Sequence, residues 1–232
     1  MKINNKSYKT IWFDHKSACV KIIDQTKLPH SLDIVDLKNL DDIIKAIKIM
    51  QVRGAPLIGG AAAFGIVMAM KSNPSNQNLR DASKDLISAR PTAVNLRSAV
   101  RAMNEKLKDL DDDDRYEAAI VAAEDLCKKD EDCCRQIGIY GKKIISDYTD
   151  KINILTHCNA GWLATIDWGT ATSPIYHAAK DGIKIHVWVD ETRPRNQGAS
   201  LTSYELTNEG IANTIIADNT GGLLMSQGDV DI

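Results

Sequence analysis

Only five cysteines, Cys19, Cys127, Cys133, Cys134 and Cys158, occur among 232 residues. None stands in the paired Cys-x-x-Cys spacing of a structural zinc site, so no metal is expected. No apolar run follows Met1-Lys2-Ile3-Asn4-Asn5-Lys6, which excludes a secretory signal there and makes the cytoplasm, with reduced thiols, the expected setting. Charge of one sign is not in excess: Lys plus Arg total 29 against 31 Asp plus Glu, a net −2, and the basic residues are scattered. Nucleic acid is therefore not an expected partner. The glycine fingerprints G-x-G-x-x-G after a strand and G-x-x-x-x-G-K-[ST] are both missing, which argues against a dinucleotide or nucleoside triphosphate; no cofactor is expected. The longest uncharged stretch, Ala55 to Met70, is shorter than a bilayer span and carries three glycines and a proline. It is read as a buried helix, and no membrane as a partner. With 44% hydrophobic and 26% charged residues and no internal repeat, the chain is neither a disordered tail nor a collagen-like rod.

What is present changes texture along the chain. Ile11 to Gln25 fits two short strands, and from there to about residue 148 the pattern is mostly helical. Asn39 is placed to cap a helix on which Leu40, Ile43, Ile44, Ile47 and Met50 recur at helical spacing. Pro56 suits the first turn of the next helix and Asn73-Pro74 ends it. Further helices are expected over Ala93–Lys108 and Arg115–Ser146, the second with a break near Cys133 as an alternative; Asp111 to Asp114 reads as a solvated helix start. After Asp150, strand-like Ile152–His157, Ile183–Asp190 and Thr214–Asp218 alternate with helices over Trp168–Lys180 and Leu201–Glu209. That order predicts parallel strands, with a ligand site beyond their carboxyl ends. The fold class expected is α/β: an N-terminal strand-and-helix domain over 1–148, then an incomplete Rossmann-like parallel-sheet domain over 149–232. Asp229 to Ile232 resembles the opening of another strand.

Several residues could carry chemistry. Arg53-Gly54-Ala55-Pro56 puts a guanidinium and free backbone N–H groups at a helix N-terminus, where an anion such as phosphate is favoured; the competing reading is a tight turn with a surface arginine. Arg90, before Pro91, would by itself be a surface residue. Cys158 falls at a strand end among small and polar neighbours, where a thiol can act as acid, base or nucleophile; a buried cysteine acting as a small hydrophobe is the alternative. His157 is expected to face away from it and pack on the sheet, since adjacent strand residues point to opposite faces. His15, His30, His177 and His186 are read as structural or exposed. Asp190 and Asp218 end strands and suit acid–base work, loop capping or pairing with Arg193. Gln197 precedes another helix start and its amide can donate to a phosphate oxygen.

Six segments together carry a resemblance. They are Asp24-Gln25-Thr26-Lys27-Leu28-Pro29, Val52-Arg53-Gly54-Ala55-Pro56-Leu57-Ile58-Gly59, Arg90-Pro91-Thr92-Ala93-Val94-Asn95-Leu96, Thr156-His157-Cys158-Asn159-Ala160-Gly161, Asp190-Glu191-Thr192-Arg193-Pro194-Arg195-Asn196-Gln197-Gly198-Ala199 and Gly228-Asp229-Val230-Asp231. In this order they resemble the methylthioribose-1-phosphate isomerase family, within the superfamily that includes regulatory subunits of eukaryotic initiation factor 2B. The isomerase branch is the better match because it has the cysteine and the paired arginines.

The resemblance implies conversion of 5-methylthioribose 1-phosphate to 5-methylthioribulose 1-phosphate in methionine salvage. It implies that Arg53, Gly54, Ala55, Arg90 and Gln197 hold the phosphate and substrate oxygens and that Cys158 lies beside the reacting carbons. The family's acid, an aspartate in a Gly-Ala-Asp-Arg segment, and a later Asn-Lys pair have no match in these 232 residues, so the resemblance implies a C-terminally truncated chain that is inactive alone. The expected partners are a small-molecule sugar phosphate, a second copy in a homodimer, and, as an alternative, a second chain supplying the missing C-terminal part. Ile166-Asp167-Trp168-Gly169-Thr170-Ala171 resembles a branch handling 5-deoxypentose 1-phosphates. A non-catalytic phosphosugar-binding or regulatory module is the rival function.

Overall fold

The computed structural model describes residues 1–148 and 151–232. Thr10–Lys27 with Leu32–Asp130 form one compact unit, and Met1–Lys9, Leu28–Ser31 and Glu131–Ile232 form the other. The domain boundary expected between 148 and 149 falls outside the described residues.

In the first of these units, β3 (Ile11–Asp14) and β4 (Cys19–Ile23) are the two expected strands, paired antiparallel with Ile11 opposite Ile22. A third strand, β5 (Ile34–Leu37), adds to β4 with Leu37 opposite Val20. It escapes the sequence pattern because only Leu37 of its four residues is buried. Asn39 does cap α1 (Leu40–Lys48), its side chain accepting the Asp42 N–H at 2.8 Å, and Ile43, Ala46 and Ile47 are buried. The apolar stretch becomes α2 (Ala55–Ser72), in which every residue from Leu57 to Met70 is buried. By length and composition α2 could cross a membrane. However, 78% of that window lies inside the protein, against α1, α3 (Asn76–Ala89) and α4 (Val94–Leu107), so it is the core helix of the unit.

The acidic run opens α5 (Asp112–Ile145), a 34-residue helix that continues unbroken through Cys133; the alternative break is not found. Its start is tied down by Arg115, a fully buried arginine. The guanidinium donates to the carbonyls of Leu107 (3.0 Å), Leu110 and Pro74 and pairs with Asp112 at 2.6 Å. It thereby ties the end of α4, the turn after it and the segment before α3 to the start of α5; the Leu107 carbonyl also accepts the Leu110 N–H at 3.2 Å. Arg115→Met is expected to lower stability by about 2–4 kcal/mol, because the Pro74 and Leu110 carbonyls and the Asp112 carboxylate lose the buried guanidinium that joins them. In a chain of this size that is a melting shift of roughly 5–12 °C; thermal unfolding beside the exposed-site control Arg101→Met checks it.

The other unit begins with a two-strand ribbon, β1 (Lys2–Ile3) and β2 (Lys6–Ser7), which the sequence pattern missed. Its sheet is parallel, as expected, in the order β6 (Ile152–Thr156), β7 (Ile185–Asp190), β8 (Ala212–Ile216). Between β6 and β7 lie a 3-10 turn (Trp162–Ala164) and α6 (Ser173–Lys180); between β7 and β8 lie a π-helical turn (Gly198–Thr202) and α7 (Ser203–Asn208). An unexpected α8 (Thr220–Gln227) follows β8 and buries only Gly221. Asp231 and Ile232 then return beside β6. The Ile232 N–H donates to Asn153 and its carbonyl accepts from the Leu155 N–H at 2.8 Å, the bonding pattern of a parallel ladder. The expected strand opening at 229–232 thus lies along the β6 edge.

Candidate active site

The anion cradle expected at Arg53 is built by two segments distant in sequence. Buried Asp24 accepts from the Thr26 N–H (3.0 Å), the Thr26 hydroxyl (2.6 Å) and the Gln51 amide (2.7 Å), and the Gln25 N–H donates to the Gln51 carbonyl at 3.0 Å. That fixes the chain just before Val52-Arg53. Gly54 then turns with φ +89°, a conformation that side chains resist, and α2 starts at Ala55 with Pro56 in its first turn. Arg53 is 8% exposed, so the surface-arginine reading fails. A buried guanidinium beside the N-terminal dipoles of an 18-residue helix favours an anion. Arg90, in the same unit, ends α3; it is half-buried, and its Nη1 is enclosed without a hydrogen-bond partner among the described residues. That nitrogen is a donor open to an acceptor from outside the chain, whether water or an anion.

In the parallel-sheet unit, polar groups gather at the carboxyl ends of the strands. β6 stops at Thr156, so His157 lies past the strand, and the expectation of a sheet-packed histidine is corrected. Its side chain is 61% exposed and its Nδ1 is 3.0 Å from Asp190 Oδ2, at the end of β7. The alternation rule fails because the next residue, Cys158, adopts φ +62°. Cys158 is half-buried; its N–H donates to Thr192 Oγ1 at 2.8 Å and its carbonyl accepts from Thr202 Oγ1 at 2.7 Å. Cys19, Cys127 and Cys134 are buried and Cys133 is exposed.

Asp218, beyond β8, accepts the N–H groups of Thr192 (2.7 Å) and Arg193 (2.8 Å). The Arg193 N–H above all, then the Thr192 N–H and the charges of His157 and Arg193, hold its carboxyl below the usual range. It therefore caps the β7 loop as an anion. His157, Asp190 and Asp218 bring one nitrogen and two carboxylate donors within 4.8 Å of one another, a set that could hold a divalent cation. Asp190 is already used by His157 and Asp218 by two backbone donors, so the cluster is bonded internally. Gln197 is half-buried ahead of the π-helical turn, and its side-chain amide forms no hydrogen bond among the described residues.

Sequence reasoning missed the residues behind this loop. Asn159 donates to Thr202 Oγ1 (3.1 Å) and to Glu205 Oε1 (2.9 Å), and Glu205 is fully buried. No local signal marked Glu205, because a charged residue is expected at the surface. The Ile166–Ala171 segment turns out to serve packing. Ile166 is buried, Asp167 accepts the Met1 ammonium at 2.7 Å, and Trp168 stacks on His177 at 4.4 Å beneath the Lys180 ammonium.

Residues 51–232 match the model of the initiation factor 2 subunit family. The chain belongs to that family. Similar curated relatives are named methylthioribose-1-phosphate isomerase: one from Sinorhizobium medicae is 48% identical and one from Escherichia coli 49% identical, each over the whole chain. The chain spans 65% and 64% of their respective lengths. Among solved family structures, the translation initiation factor eIF-2B delta subunit from A. fulgidus superposes with a TM-score of 0.86 at 38% identity, over 97% of this chain and 66% of that one. The 5-methylthioribose 1-phosphate isomerase from Pyrococcus horikoshii gives 0.85 at 34% identity, over 97% and 64%.

Proposed function

We propose that these 232 residues are the phosphosugar-binding and thiol-bearing part of a methylthioribose-1-phosphate isomerase acting in methionine salvage in the cytoplasm. What supports this most is the pairing of about 48% identity to curated isomerases along the whole chain with a cysteine clamped at the end of a parallel strand. In this reading Arg53, the Gly54-Ala55 backbone, Arg90 and Gln197 take the phosphate and substrate oxygens, and Cys158 lies beside the carbons that exchange a hydrogen. Phosphate on the anomeric carbon prevents the spontaneous ring opening of a free aldose. An acid must therefore protonate the ring oxygen before hydrogen moves from C2 to C1. The substrate, a second copy of the chain in a homodimer and a second chain completing the site are the partners this reading calls for.

A rival reading, a phosphosugar-binding module without catalysis, is favoured by the 38% identity to the initiation-factor subunit. The 5-deoxypentose alternative gains nothing from Ile166, Asp167 and Trp168, whose side chains are spent on packing.

A thiol used in chemistry reacts faster than an ordinary surface thiol. With limiting iodoacetamide and mass spectrometry on folded protein, Cys158 is expected to be alkylated ahead of exposed Cys133, and 5-methylthioribose 1-phosphate is expected to slow it. Cys158 among the slowest of the five, or a bound ligand that leaves its rate unchanged, refutes the assignment.

A further inference from the structure

Cys158 sits in a backbone region that a side chain adopts only when its surroundings impose it, and such residues concentrate where geometry serves function. The surroundings here are fully described by hydrogen bonds. Thr192 Oγ1 accepts the Cys158 N–H and donates to the Asp190 carbonyl at 3.1 Å. Thr202 Oγ1 donates to the Cys158 carbonyl and accepts from the Asn159 amide. Each hydroxyl has both of its roles filled, so neither is free to turn.

Behind Thr202 stands Glu205, with no exposure to solvent. Oε1 accepts from Asn159 Nδ2 (2.9 Å) and the Leu163 N–H (2.8 Å); Oε2 accepts from the Trp162 N–H (3.2 Å) and the Tyr176 hydroxyl (2.8 Å). A carboxylate offers about four lone-pair positions, and all four donors are the protein's own. Burial, first, and then the charge of Glu205 push the Tyr176 phenol well above the ordinary tyrosine range, so it stays a donor. A Cβ on Gly161 would stand 1.6 Å from Glu205 Oε2, so the loop after Cys158 is shaped around this carboxylate. Glu205 thus joins α7, α6 and the β6–α6 loop without itself reaching the strand-end surface.

We propose that Glu205, acting through Asn159 and Thr202, is the positioning residue that holds Cys158 in its left-handed conformation and so fixes how its thiol is presented. The inference rests on the reading that Cys158 serves chemistry, and it adds a residue that never touches substrate. Nothing in the arrangement needs a bound ligand, so the free protein already has the geometry.

The test compares alkylation of Cys158 with that of Cys133 in the same molecules, for the unaltered chain and for Thr202→Val, Thr202→Ser and Glu205→Gln. Near-ultraviolet circular dichroism and a cooperative melt establish folding in each. The ratio of the two rates is expected to fall at least about tenfold in Thr202→Val and Glu205→Gln and to be kept in Thr202→Ser, which restores the hydroxyl. Simple loosening of the fold would instead raise labelling of buried Cys19, Cys127 and Cys134 together. A ratio that is kept or raised in folded Thr202→Val overturns the proposal, and that variant decides the matter if Glu205→Gln does not fold. The two readings fail differently. An unaltered chain without preference for Cys158 refutes the functional assignment, whereas a preference that survives both substitutions refutes only the role of Glu205.

Discussion

Assayed by itself, the 232-residue chain is expected to bind 5-methylthioribose 1-phosphate and give no measurable ketose. By the resemblance to the isomerase family the acid that opens the ring would come from a Gly-Ala-Asp-Arg segment, and these 232 residues contain none. Removing a general acid typically costs about 10²–10⁴ in rate. The carboxylates at the strand ends are poor substitutes. Asp218 is held as an anion by the Arg193 and Thr192 N–H groups, so it has no proton to give at neutral pH. Asp190 has Oδ2 on His157 and Oδ1 enclosed against Gly221. Coupled detection of the ketose product over long incubation is the check. Robust turnover that Asp190→Asn or Asp218→Asn abolishes would mean that one of these groups acts as the acid after all.

The second large effect concerns the phosphate. If Arg53 and Arg90 both bind it, each replacement by alanine removes a charge-assisted hydrogen bond worth about 1.5–3 kcal/mol, which is roughly a 10- to 100-fold loss in affinity. The readout is thermal protection. Ligand at about 100 times its dissociation constant stabilises the folded chain by about 2.7 kcal/mol, or roughly 5–10 °C for a protein of this length. In Arg53→Ala or Arg90→Ala the same concentration should give no more than about half of that protection, about 0.4–1.4 kcal/mol or roughly 1–6 °C, while Arg101→Ala, on the exposed side of α4, should behave like the unaltered chain. Protection that is unchanged in both variants would remove the arginines from the site.

How much of this was legible depended on whether a signal was local. The core helix α2 announces itself through Pro56 and an uninterrupted apolar run, and Asn39 marks the start of α1 through a bond to its own first turn. The parallel order of β6, β7 and β8 follows from alternating strand and helix patterns. By contrast, β5 buries a single residue and α8 buries only Gly221, so neither shows a periodic face. Among site residues, Arg53 and Cys158 could be picked out from neighbours in sequence. Glu205 could not, because a charged residue is expected outside, and its burial depends on donors from Asn159, Trp162, Leu163 and Tyr176, which only the fold assembles. His157 was misjudged for a related reason: strand alternation stops where Thr192 and Thr202 force Cys158 to turn.

The central claim is that this chain carries a phosphosugar site of the isomerase type, and calorimetric titration of the folded protein with 5-methylthioribose 1-phosphate beside unphosphorylated 5-methylthioribose tests it most directly. Saturable binding at one site per chain is expected for the phosphorylated sugar and none for the plain sugar at the same concentrations. Equal binding of the two, or no binding of either to protein shown to melt cooperatively, would contradict it.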